Sequence, residues 1–319
     1  MKIAEYLKKE TKNRKGLLPL EWIVVGYTLL TSVWIVFAYT QMDHPAELLL
    51  GRAKVLLCLA AMVLVYRLYP SRLTMLCRVG VQMALLAWWY PDTYEMNRVL
   101  PNLDHLFAEW EQQLFGFQPA LLFAQKFPSV IVSELMDLGY ASYYPLMVAV
   151  LLYYYFYRYK EFQRCATILI GSFFVYYVVF DLLPVVGPTF YYHAVGLDQI
   201  AKGTFPAMGE YFNIHTECLP SPGYEQGFFY QLVEAAKAAG ERPTAAFPSS
   251  HVGVSTISML LAWHSKNRKL LWILMPFYVL LCLSTVYIQA HYAIDALAGF
   301  VSAVVIYGVM YFFTRKMKS

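Results

Sequence analysis

Two short clusters hold side chains suited to nucleophilic and proton-transfer chemistry. The first is Phe247-Pro248-Ser249-Ser250-His251. Proline suits the first position of a helix, where its missing N–H has no partner to lose. The N–H groups that follow, with the Ser249 and Ser250 hydroxyls, form the kind of helix start that binds phosphate. His251 comes next, within reach of an anion held there. An ordinary helix cap beside an interfacial histidine accounts for this cluster equally well. The second cluster is Ser284-Thr285-Val286-Tyr287, then His291, Asp295 and Gly299. In a helix, His291 and Asp295 lie one turn apart on a shared face. A carboxylate there can fix the imidazole tautomer and stabilise its cation, the logic of Ser-His-Asp hydrolases. No nucleophilic serine stands beside them, which leaves His291 itself as the attacking group, a role histidine can fill. A buried histidine satisfied by a structural aspartate is the competing reading. Gly299 continues the face and permits close packing. Zinc held by His251, His291 and Asp295 is disfavoured, so no metal or cofactor is expected.

The elements that must position these residues are membrane helices. The chain of 319 residues is 59% hydrophobic and only 14% charged, against about 25% charged in soluble domains. Five cysteines make no disulfide scaffold, and a net charge of +4 does not suggest nucleic acid. A bilayer core needs roughly 20 apolar residues per helix. Eight runs qualify, over 22–40, 53–69, 74–90, 130–157, 164–183, 248–264, 270–287 and 291–313. With the N-terminus in the cytoplasm, 18 of the 25 Lys and Arg residues fall on the cytoplasmic side, as basic loops do. Both termini are then cytoplasmic, and both histidine clusters face the lumen or periplasm. The other histidines (His44, His105, His193, His215 and His264) read as surface or interfacial residues.

The expected fold is therefore all-α, a polytopic bundle of about eight transmembrane helices. Residues 1–73 hold a basic N-terminal stretch (1–16) and two accessory spans, and residues 74–319 hold the core. Within the core, Leu103, Leu106, Phe107, Trp110, Leu114 and Phe115 predict an amphipathic helix on the outer interface, about 100–127. The outer loop 184–247, weakly helical over Phe228–Ala239, is either a surface cap or a lid over the site.

These residues resemble the type 2 phosphatidic acid phosphatase superfamily of membrane lipid phosphatases and phosphotransferases. Its usual signature is KxxxxxxRP, then PSGH, then SRxxxxxHxxxD. Here the second motif reads Pro248-Ser249-Ser250-His251, and the third reads Ser284, Thr285, His291 and Asp295 with the family spacing. The resemblance covers roughly residues 130–313, in a six-helix phosphatase-like core that begins with the third span. No KxxxxxxRP precedes the second motif, and the arginine of the third is Thr285. The pattern STVYxxxHYxxD, with FPSSH upstream and Asp137, Tyr140, Tyr143 and Tyr144 in the fourth span, is more similar to the inositol phosphorylceramide synthase branch. That resemblance implies transfer of a phosphoalcohol head group, of phosphoinositol type, to a ceramide-like acceptor through a phosphohistidine on His291. His251 would serve as proton donor, and Ser249 and Ser250 would bind phosphate. Its partners would be membrane lipids as donor and acceptor, with no nucleic acid.

A phosphodiester carries one negative charge and a monoester nearly two, so a site without the usual cations suits the diester. Lys202, Lys237 or Arg242 of the outer loop could restore a charge. Asp137, Tyr140, Tyr144 and Asp181 are candidates for binding head-group hydroxyls. Helix-to-helix hydrogen bonding is the competing role of Asp137 and Asp181. Phosphatidic acid or lipid pyrophosphate hydrolysis is the alternative activity. Transport without chemistry is a third reading, disfavoured by the paired histidines.

Overall fold

Every regular element among the residues described by the computed structural model (4–10, 16–315 and 317) is helical. In chain order these are α1 (Ala4–Leu7), α2 (Pro19–Phe37), α3 (Pro45–Leu68), α4 (Arg72–Ala84), α5 (Leu86–Asn97), α6 (Asp104–Phe115), α7 (Pro119–Lys126) and α8 (Val130–Ala141). There follow α9 (Tyr143–Tyr157), α10 (Tyr159–Leu182), α11 (Pro188–Val195), α12 (Leu197–Ala201), α13 (Phe228–Gly240), α14 (Ser250–His264), α15 (Arg268–Tyr287) and α16 (Ala293–Thr314). Proline opens α2, α3, α7 and α11. Side chains of Ser71, Ser129, Ser249 and Asn267 cap α4, α8, α14 and α15, each occupying an otherwise orphan N–H. The basic N-terminal stretch 1–16 lies largely outside the described residues.

The protein is a polytopic helical membrane bundle. Helices α2, α3, α10, α15 and α16 are each long and apolar enough to cross a bilayer, and α8 with α9, bent by 47°, makes a sixth such unit. The two other expected spans differ for physical reasons. The run 74–90 is divided between α4 and α5, which break at Leu85. It carries Arg78 and Gln82, both fully buried. The run 248–264 forms α14, only 15 residues long and rich in hydroxyls. Helix α14 packs against α9, α10, α15 and α16, so most of its surface meets protein, and apolarity toward lipid is not required of it.

Burial ranks the helices. Of the most apolar window in α10, 72% is buried, against 17% in α3 and in α16. Helices α10 and α14 form the centre, while α3 stands at the edge. Two ion pairs tie the accessory helices to the rest. Arg52 of α3 grips Asp92 of α5 through both guanidinium nitrogens, at 3.0 and 2.8 Å. Arg78 of α4 pairs with Glu21 of α2, and neither side chain is exposed. Removing one partner of such a pair strands a buried charge, at about 3–5 kcal/mol.

The predicted amphipathic helix is α6, with its faces divided unexpectedly. Phe107 is buried, but Trp110 and Leu114 are 51% and 62% exposed, and the inward residues include Asp104 and Glu111. The loop 184–247 folds as α11, α12, a 3-10 turn at Tyr211–Asn213 and α13.

Candidate active site

Three chain segments meet where α14 and α16 begin. Their crossing is set by Gly299, where a Cβ would run into the Ser249 carbonyl oxygen. The contact stacks the first turn of α16 against that of α14, and the Ser249 N–H donates to the Asp295 carbonyl at 3.0 Å. The third segment is 184–187. Gly187, at φ 87°, fits between Ala246 and Ala290, a backbone conformation that other residues rarely adopt.

This packing brings the two predicted histidines together. His251 Nδ1 and His291 Nε2 lie 3.3 Å apart. His291 precedes α16, so the expected one-turn relation to Asp295 holds only loosely. Its Nδ1 is 3.7 Å from the Asp295 carboxylate, too far for a hydrogen bond. At 2.8 Å from Nδ1 stands the Ala246 carbonyl oxygen. A carbonyl can only accept, so Nδ1 carries the proton and Nε2 presents its lone pair. Asp295 instead accepts the Tyr292 N–H at 2.9 Å as a helix cap, and its other oxygen has no protein partner.

His251 is held by aromatic faces. The Tyr140 ring stacks on it at 4.7 Å and the Tyr143 ring lies at 4.3 Å. The Tyr143 hydroxyl donates to the Ser250 carbonyl at 3.3 Å. Ser249 Oγ accepts the Val252 N–H at 3.3 Å. The earlier N–H groups of the turn have no intrahelical acceptor, as at every helix start. Thr285 holds the place of the motif arginine. Its hydroxyl is turned to the Cys282 carbonyl at 3.0 Å, while its own carbonyl accepts the His291 N–H.

The remaining candidates separate. Tyr140 is at the site, and Tyr144 packs on Tyr143 at 5.1 Å. Asp137 is buried one turn before Tyr140, with one oxygen lacking a protein partner. Asp181 is not brought to the histidines: it accepts the Tyr27 hydroxyl at 2.9 Å, tying α10 to α2. Lys237 is engaged by Glu234 at 3.1 Å and by the Leu219 carbonyl at 3.0 Å. Arg242 is exposed. Among the described residues no group of three or more His, Cys, Asp and Glu side chains is arranged to hold a metal ion.

The supporting residues come from α6, and sequence reasoning missed them. Asp104 accepts the N–H groups of Val186 and Gly187 at 2.7 and 2.9 Å and the Tyr292 hydroxyl at 3.1 Å. Glu111 accepts the Ile294 N–H at 3.1 Å, in the first turn of α16. Burial pushes the Glu111 carboxyl up to about 8, with Asp295 adding to the rise and the Ile294 N–H opposing it. Their spacing with Ala108 in one buried stripe was a readable signal, masked by the apolar residues of the same helix.

The fold and site define an integral-membrane helical bundle with two histidines paired at abutting helix starts. The chain belongs to the PAP2 superfamily, whose family model matches residues 105–309. That membership supports an activity of the lipid phosphatase or phosphotransferase type. The matched region begins within α6 and so includes Glu111. No curated protein and no solved structure matches the chain.

Proposed function

We propose that the protein is a lipid phosphotransferase that carries a phosphoalcohol head group, of phosphoinositol type, from a phospholipid to a ceramide-like acceptor. The observation that carries this reading is the charge of the site. The charged side chain beside His291 is the Asp295 carboxylate, at 3.7 Å, Thr285 stands where the superfamily motif has arginine, and Lys237 is spent on Glu234. A monoester dianion would lack its counter-charges here, whereas a phosphodiester monoanion needs fewer.

The chemistry follows from the hydrogen bonds. His291 Nε2 attacks phosphorus as the bond to the departing lipid alcohol breaks. Nδ1 keeps its proton, donated to the Ala246 carbonyl, and the Asp295 carboxylate steadies the positive ring. Before attack, His251 Nδ1–H must leave His291 Nε2. As an imidazolium, protonated on both ring nitrogens, it gives one proton to the leaving oxygen and becomes neutral, and afterwards it takes the proton of the acceptor hydroxyl. The free N–H groups at the start of α14, with Ser250, face the charge that develops on the phosphoryl oxygens, commonly the largest catalytic contribution. In this reading both lipids reach the site from its lumenal or periplasmic side.

The test is product analysis with purified protein in liposomes, given phosphatidylinositol and ceramide, or phosphatidic acid alone. Formation of a new phospho-sphingolipid faster than phosphate release from phosphatidic acid is the expected result. The reverse ranking across several acceptors would assign the phosphatase activity instead.

A further inference from the structure

A second cavity lies away from the histidines, between α3 and α5, with a volume of about 880 Å³. Its walls include Leu48 and Val55 of α3 and Leu85 and Trp88 at the start of α5. Gly51 lets the two helices approach, since a Cβ there would meet the Trp88 indole at 2.6 Å. Helix α3 is the peripheral span, with Leu50 and Leu57 at 54% and 71% exposure. In a bilayer such an open apolar trough is filled by an acyl chain.

Two cations line the same cavity, Lys54 from α3 and Arg242 from the loop above. Lys54 lies about 13 Å along the helix from Pro45, at about 1.5 Å per residue. Among the described residues it has no hydrogen bond or ion pair. A charge at that depth is expensive without a partner. Among the described residues the Arg242 guanidinium has one hydrogen bond, to the Glu241 carbonyl at 3.2 Å. The acids nearby are mostly taken. Asp92 is neutralised by Arg52 at 2.8 Å, and Arg98 is shared by Asp43 at 2.8 Å and Glu95 at 3.3 Å, which leaves Glu47 and a half-matched Glu95 against the cations Lys54 and Arg242.

We propose that this groove is a binding site for an anionic glycerophospholipid, with one acyl chain against Trp88 and Val55 and the phosphate between Lys54 and Arg242. The lipid is an effector and not the reacting donor. Trp88, Asp92 and Glu95 of α5 face the groove, whereas Tyr94 on another face of the helix reaches the Phe212 carbonyl of the loop at 2.8 Å. Neither histidine, and no residue of α14 or α16, lines the groove, which keeps a phosphate held at Lys54 apart from His291. Arg242 also lines a separate cavity of about 400 Å³ under α13, so the bound lipid steadies the loop beside Glu241.

The full chain in detergent is titrated with phosphatidylglycerol or phosphatidylcholine, and retained lipid is read by native mass spectrometry. Wild type is expected to prefer phosphatidylglycerol. Lys54→Gln weakens it about fivefold, the equivalent of about 1 kcal/mol per basic contact. Lys54→Glu abolishes the preference. Ala87→Trp, at an exposed position on the groove wall, blocks both lipids without touching charge. His291→Ala binds as wild type does, and glycerol phosphate, which lacks chains, does not compete. Equal retention of the two lipids by wild type would overturn the proposal. So would phosphatidylglycerol binding that survives both Lys54→Glu and Ala87→Trp, or binding that is lost in His291→Ala. None of these readouts depends on turnover, so they stand apart from the transferase assignment.

Discussion

His251 and His291 face each other, yet their surroundings differ in ways that support the distinct roles proposed for them. His291 has its Nδ1 proton committed to a backbone carbonyl at 2.8 Å, which fixes the lone pair on Nε2, the atom proposed to attack. His251 is packed between two tyrosine rings, and its Nδ1 has only His291 as partner, so it can turn to a leaving oxygen. His291→Ala should remove the route to a covalent intermediate, with activity lower by several orders of magnitude and no phospho-enzyme trapped. His251→Ala should lose about 10²- to 10⁴-fold on a natural donor, the range of general acid–base assistance. An activated phenyl ester donor, which needs little protonation, should restore part of that loss. Asp295→Asn keeps an acceptor for the Tyr292 N–H and removes the charge, so it should fall between wild type and His291→Ala. Quench-flow with a labelled donor compares all three. Labelling that persists in His291→Ala and vanishes in His251→Ala would exchange the two roles.

At the scale of elements, α6 supports the site through two acids that the bundle itself does not supply. Asp104 fixes the 184–187 segment and Tyr292, and Glu111 caps α16. A carboxyl raised from 4.5 to about 8 by burial favours its protonated form in the fold. The resulting stabilisation is complete below 4.5 and is lost as pH rises through about 8. Glu111→Gln mimics the protonated state, so thermal unfolding of the variant should decline less between those pH values than that of wild type. Parallel curves would remove Glu111 as the titrating group. The candidate site side chains were legible in sequence because they are side chains of rare type at fixed spacing. The Ala246 carbonyl was not, since any residue offers one. Nor were Asp104 and Glu111, because the apolar residues of α6 suggested a helix lying on lipid by one face, and not one also turning acids inward. Helix α14 was read as an independent span from its apolarity, whereas its hydroxyls and Gly253, where a Cβ would meet the Tyr176 hydroxyl, belong to a helix enclosed by others.

For the whole molecule, the remaining question is which way the bundle faces. The histidine pair, α6, α11 and α13 share one end, and the opposite end is marked by the Arg158–Ser265 and His264–Tyr307 hydrogen bonds. The basic residues favour that opposite end. Arg52 and Arg78, one from each expected side, are buried in ion pairs between helices, and setting both aside leaves the asymmetry in place. The positive-inside tendency favours placing the histidines on the lumenal or periplasmic face, the side from which the proposed transfer would draw both lipids. Cysteine labelling decides it. The five native cysteines are free and one, Cys77, is exposed, so they are replaced first. Gly223 sits on the right loop, but a side chain there would strike Ser133. Glu217, with its side chain 66% exposed, is the better probe for the histidine end, and the exposed Lys269 at the start of α15 serves for the other. A membrane-impermeant maleimide added to sealed vesicles of known orientation should modify Glu217→Cys only from the lumenal or periplasmic face and Lys269→Cys only from the cytoplasmic face. Reversed labelling would put the site in the cytoplasm and require cytoplasmic-leaflet lipids as substrates. Labelling of both from one face would mean that the chain between Glu217 and Lys269 does not cross the bilayer, and α14 would then be a re-entrant helix and not a span.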